Sequence, residues 1–89
     1  GVMRMVDKGE DDKIIAVCAN DISVSHINTL DELPPHLMSE IKHFFEQYKK
    51  LEHTDVVVDE FFDKEKALQI IIKSKADYQT DILPSLKII

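Results

Sequence analysis

The sequence predicts an α+β fold in which two helices pack on a small sheet. Two segments near the N-terminus, at about residues 2–6 and 13–18, alternate apolar and polar residues or are rich in β-branched residues, as strands are. Two longer segments, at about residues 35–51 and 64–80, repeat apolar residues every three or four positions, as amphipathic helices do. The 89 residues allow one domain at most, with a modest core.

The connection between the two predicted strands is strongly acidic. Four carboxylates surround Gly9, with two lysines beside them: Asp7, Glu10, Asp11, Asp12, Lys8 and Lys13. A run of charges is usually a solvated turn, and that is one interpretation. The other is a magnesium loop, because neighbouring carboxylates repel one another unless a hard divalent cation or lysines neutralise them. The loop alone leaves both interpretations open.

The first helix is predicted from Pro35, since proline is tolerated in a first helical turn. Its apolar residues fall at helical spacing: Leu37, Met38, Ile41, Phe44, Phe45, Tyr48 and Leu51. The last predicted turn of the helix contains Tyr48, Lys49 and Lys50. Lysines there interact favourably with the helix dipole, which is the structural interpretation. A tyrosine hydroxyl beside a lysine ammonium also makes a phosphate clamp, which is the functional one.

The second half of the chain predicts a short strand and the second helix. Residues 55–59 favour a strand, Asp63 is suited to cap a helix N-terminus, and Pro84 follows the helical pattern. The sequence therefore reads as two strands, a helix, a short strand and a helix. We expect the two helices to cover one side of the sheet.

The composition argues against several kinds of partner and location. The net charge of −6 does not favour nucleic acid or an anionic membrane as a partner. No apolar run approaches the roughly 20 residues of a membrane span, and no signal peptide is recognised. The single cysteine, Cys18, fits a reducing compartment, so we expect a cytoplasmic location. The first predicted strand begins within two residues of Gly1, and we expect its further partner strands upstream.

Four segments, in this order, resemble the C-terminal half of the soluble inorganic pyrophosphatases of family I. They are MVDKGEDDKIIAVCA, LPPH, HFFEQYKKLE and DILPSLK, and the resemblance covers nearly all of residues 1–89. The shorter pieces AVCAND, LPPH and ILPSL are most similar to the plant-type branch. The resemblance implies the C-terminal part of a small OB-like β-barrel with two amphipathic helices packed on it. It also implies a hydrolase that splits inorganic diphosphate into two phosphates with several magnesium ions.

The resemblance also assigns roles to residues. It makes Asp7 and Asp11 magnesium ligands and Lys13 a catalytic lysine, while Tyr48 and Lys49 hold a phosphate as substrate-binding residues. The loop after Glu10 is one residue shorter than is usual in the family, so Asp12 is an alternative to Asp11 as the second ligand.

The family's earlier aspartate-rich motif has no counterpart in this sequence. The resemblance therefore implies a missing N-terminal barrel half, or a partner chain that supplies it, and we expect the 89 residues alone to be inactive. Two hypotheses follow from it. The first is a pyrophosphatase by descent, and the second is a non-catalytic interaction or regulatory module derived from one.

Overall fold

The computed structural model describes residues 1–7, 9–53 and 55–88, so Lys8 of the acidic connection lies outside the described residues. Three antiparallel strands, β1 (Val2–Val6), β2 (Glu10–Ile14) and β3 (Val57–Phe62), form a sheet in the order β2-β1-β3. Two helices, α1 (Pro35–Leu51) and α2 (Lys64–Asp77), complete an α+β arrangement, as the sequence predicts. Within the described ranges the sheet is open, so these residues do not close a barrel.

Strand β2 lies earlier in the sequence than the predicted segment 13–18. It begins at Glu10, so three acidic residues belong to the strand and not to the connection. The Ile15 N–H donates to Gly1 O at 2.8 Å and the Gly1 amine donates to Ile15 O at 2.9 Å, which is the last pairing between these strands. Among the described residues, no strand pairs with residues 16–18. The β-branched residues of the predicted segment, Ile14, Ile15 and Val17, do not by themselves make a strand, because strand preference depends on neighbours.

Both helices have the expected N-termini. Helix α1 begins at Pro35 and ends with Glu52 as its cap, followed by His53 in the left-handed conformation with φ of 59°. Helix α2 begins after Asp63, whose carboxylate accepts a hydrogen bond from the Lys64 N–H at 2.9 Å. Its regular part ends three residues before the predicted position 80, and the chain continues through a π-helical turn (Tyr78–Ile82) and a 3-10 turn (Leu83–Ser85). Across the described ranges, no helix combines the length and apolar character needed to cross a membrane.

The two helices lie on opposite faces of the sheet, so the expectation that they cover one side was wrong. On one face, Met3 and Met5 pack with Ile41 and Phe45 of α1. On the other face, the Lys66 Nζ of α2 lies 5.8 Å from the centre of the Phe62 ring. The central strand explains this arrangement. Val2, Met3 and Met5 are at most 1% exposed, and Val2 faces the opposite side of the sheet from Met3 and Met5. Each face of the sheet is therefore covered.

The chain exposes more surface than a compact domain of its size. Its accessible surface is 7008 Å², whereas a compact protein of 10.2 kDa exposes about 5,300 Å². Its radius of gyration is 15.7 Å, against about 12 Å for a compact chain of 89 residues. Several large apolar side chains therefore face solvent, among them Leu51 and Ile22. This open architecture leaves apolar surface available for further chain to cover.

Candidate functional site

The hairpin of β1 and β2 places Asp11 and Lys13 beneath helix α1. The register pairs Met3 with Lys13 and Met5 with Asp11, and directly opposite residues share a face of the sheet. Asp11 and Lys13 therefore lie on the face that α1 covers. The Lys13 Nζ is 3.0 Å from Asp11 Oδ2 and 5.9 Å from the centre of the Phe45 ring. The ammonium is thus held between a carboxylate and an aromatic face.

The end of helix α1 brings Lys49 to the same region. Its Nζ lies 3.4 Å from Glu52 Oε2, three residues further along. The hydrogen bond and the charge of Glu52 raise the pKa of Lys49, and the carboxylates of Asp7 and Asp11 raise it further. Both carboxylates therefore lie within electrostatic reach of one ammonium group. The turn after β1, strand β2 and the end of α1 thus carry charges that act on one another. We call these four residues the hairpin cluster: Asp7, Asp11, Lys13 and Lys49.

Asp12 points to the opposite face and has a different partner. The register sets it across from Arg4, whose Nε and Nη2 donate to the two carboxylate oxygens at 2.8 and 3.1 Å. Both side chains are 16% exposed. The hydrogen bond from Arg4 is the main reason that the pKa of Asp12 lies below its ordinary value. Adjacent residues of a strand face opposite sides, so Asp11 and Asp12 have separate environments.

We expect Asp12→Asn to lower the free energy of unfolding by about 1–2 kcal/mol near neutral pH, because a two-point, charge-assisted pair with Arg4 is lost. The folded-state pKa of Asp12 is lowered, so its stabilisation is complete above the ordinary carboxyl range and is lost as pH falls through the folded pKa. The difference between the two proteins should therefore shrink below about pH 4. Urea unfolding across this range measures it, with Asp31→Asn, at an exposed carboxylate, as the control. An undiminished difference in acid would contradict the expectation.

Tyr48 directly precedes Lys49 in the sequence and lies on the outer flank of α1. Its ring stacks on that of Phe44, with centroids 6.0 Å apart and planes inclined by 17°. The side chain is 46% exposed. The structure thus pairs Asp11 with Lys13 and sets Lys49 under the influence of the charges of Asp7 and Asp11. Tyr48 lies on the outer flank of α1, and Asp12 faces the other side of the sheet.

Two positioning contacts were not predicted from the sequence. Arg4 holds Asp12, and Glu52 holds Lys49. The spacing of Lys49 and Glu52, three residues apart on a helix, was a signal that could have revealed the second contact. Predicting the Arg4 contact would have required the correct bounds of β2, because the strand register sets Arg4 across from Asp12.

The side chains that could bind a metal ion fit magnesium only in part. Among residues 1–7, 9–53 and 55–88, no group of three or more His, Cys, Asp or Glu side chains is placed to hold a metal ion. Magnesium, however, usually takes one or two protein carboxylates and completes its shell with water and phosphate oxygens. Asp7 and Asp11 are carboxylates of the type and number that this smaller requirement asks for.

Comparison with known proteins identifies the family. The family model described as inorganic pyrophosphatase matches residues 1–79. The chain is 49% identical over 88 residues to soluble inorganic pyrophosphatase PPA1 of Solanum tuberosum, covering 98% of this chain and 42% of that protein. It is 48% identical over 85 residues to soluble inorganic pyrophosphatase 2 of Chlamydomonas reinhardtii, covering 94% of this chain and 44% of the relative. It thus spans less than half the length of these relatives. The chain belongs to the inorganic pyrophosphatase family.

Proposed function

We propose that this chain forms one side of the catalytic site of an inorganic pyrophosphatase and acts in the magnesium-dependent hydrolysis of inorganic diphosphate to two phosphates. The observation that carries the proposal is the hairpin cluster. Lys13 pairs with Asp11 at 3.0 Å on the face that α1 covers, and the charges of Asp7 and Asp11 both act on Lys49 at the end of that helix. That combination can hold a divalent cation and phosphate oxygens side by side.

Each residue of the cluster has a role in this proposal. Asp7 and Asp11 hold magnesium, which when bound neutralises phosphate charge and lowers the pKa of a water molecule. The Lys13 ammonium, 3.0 Å from Asp11, stabilises negative charge on the phosphate next to the metal. Lys49 and the Tyr48 hydroxyl donate to oxygens of the other phosphate. Asp12 is not one of the ligands in this proposal, because it faces the other side of the sheet, where it is paired with Arg4.

The rest of the active site would come from chain that corresponds to the other part of the relatives. We propose that this part adds strands to the open sheet, closes the barrel, and brings the remaining metal ligands. On this view the 89 residues alone do not hydrolyse diphosphate. The exposed apolar surface also fits the second hypothesis, a non-catalytic module that binds a partner chain: Leu51 is 83% exposed and Phe44 is 59% exposed.

The test is binding of magnesium diphosphate to the 89-residue chain. We expect weak binding that requires magnesium, shifts the amide NMR signals of the hairpin cluster, and releases no phosphate. Lys49→Ala should weaken binding about 10-fold, the loss typical of one charge-assisted hydrogen bond. Lys50→Ala is the matched control, since Lys50 is the neighbouring lysine and is exposed. Equal losses in both variants, or binding that ignores magnesium, would contradict the proposed site.

A further inference from the structure

Three aromatic residues of α1 form a connected row that leads from the core to Tyr48. Phe45 packs against the buried cluster that includes Met3 and Met5. Phe44 meets Phe45 edge to face, with centroids 5.2 Å apart and planes at 86°. Phe44 in turn stacks on Tyr48 at 6.0 Å and 17°. Both pairs lie in the range of favourable aromatic geometries.

The exposure of Phe44 separates its role from that of a core residue. Phe44 is 59% exposed, so most of its ring gains little from burial. Its aromatic neighbours are instead the anchored Phe45 on one side and the half-exposed Tyr48 on the other. The stack restricts the Tyr48 ring, whose position in a last helical turn would otherwise leave it several orientations.

We propose that Phe44 is a positioning residue that fixes the Tyr48 ring so that its hydroxyl is ready to donate to a phosphate oxygen of diphosphate. The inference rests on the proposed function, because it assumes that Tyr48 contacts the substrate. A side chain already held in its bound orientation loses less conformational entropy on binding. Phe44 acts through Tyr48 and does not touch the substrate.

The test compares variants of the 89-residue chain in the magnesium diphosphate binding assay. Phe44→Leu keeps an apolar, helix-favouring residue but removes the ring, and it should weaken binding about 3- to 10-fold, as the loss of one aromatic pair does. Phe44→Tyr retains the stack and should restore the affinity. Leu51→Ala is the matched control, because Leu51 lies on the same flank and is 83% exposed, and it should leave binding unchanged. Equal weakening by Phe44→Leu and Leu51→Ala would overturn the inference.

A double-mutant cycle separates the inference from the proposed function. Tyr48→Phe keeps the stack and removes the hydroxyl, so Phe44→Leu should have no further effect in that background. If Tyr48→Phe binds normally, the substrate-binding role of Tyr48 fails, and the inference fails with it. If Tyr48→Phe weakens binding and Phe44→Leu does not, only the inference fails. The NMR signals of the Tyr48 ring should move in Phe44→Leu, because ring-current shifts report the stack directly.

Discussion

Joining the N-terminal part of the Solanum tuberosum relative, the part that lies outside the match, to Gly1 is expected to produce magnesium-dependent hydrolysis of diphosphate. The 89-residue chain alone should show no phosphate release above the magnesium background. The reason is structural: the sheet is open, the surface exceeds that of a compact domain, and the match covers 42% of that relative. The added part would pair with the sheet and supply the remaining metal ligands, without which no water is activated.

The informative comparison is between the fusion, its Asp7→Ala variant, and the N-terminal part alone. Activity in the fusion that is lost on Asp7→Ala places this chain's own carboxylate in the reaction. A fusion that folds cooperatively but remains inactive would contradict the catalytic proposal and favour the non-catalytic module. Turnover by the 89 residues alone, lost on Asp7→Ala, would contradict the expectation that they need the missing part.

The helices could be predicted from the sequence because their evidence is local. Apolar residues at helical spacing, Pro35 at one N-terminus and Asp63 at the other mark their positions, and the structure has helices beginning there. The side of the sheet that each helix covers was not local information. It depends on β1 being buried on both faces, with Val2 on one side and Met3 and Met5 on the other. The strand order that makes β1 central is seen only in the folded structure.

Strand β2 shows the same limit at the candidate site. Residues 14–17 have the composition of a strand, yet the strand forms where β1 is available to pair, from Glu10 to Ile14. That shift decides the environments of Asp11 and Asp12, which the sequence left as alternatives. Once Asp12 is set opposite Arg4, alternation along the strand sends Asp11 to the face of Lys13 and α1. The residue types indicated a group of carboxylates and lysines, but the register was needed to show which of them share a face.

Asp11→Asn and Asp12→Asn are expected to separate catalysis from stability in an active fusion. Both substitutions remove one negative charge and keep the size of the side chain, so they differ in position alone. Asp11→Asn should raise the magnesium concentration needed for half-maximal rate by at least about 10- to 100-fold, the range seen when metal sites lose a supporting group. Asp12→Asn should change this requirement less than about 3-fold, and its loss should appear in the unfolding free energy, at about 1–2 kcal/mol.

The physical reason for this contrast is the alternation of side chains along β2. Asp11 shares a face with Lys13, and its charge also acts on Lys49, so losing it removes a carboxylate from the hairpin cluster. Asp12 lies on the opposite, α2 face of the sheet, where Arg4 donates to both of its carboxylate oxygens. Magnesium titrations of the reaction rate and urea unfolding of each variant measure the two quantities separately. A larger magnesium requirement in Asp12→Asn than in Asp11→Asn would contradict this assignment and would make Asp12 the metal ligand.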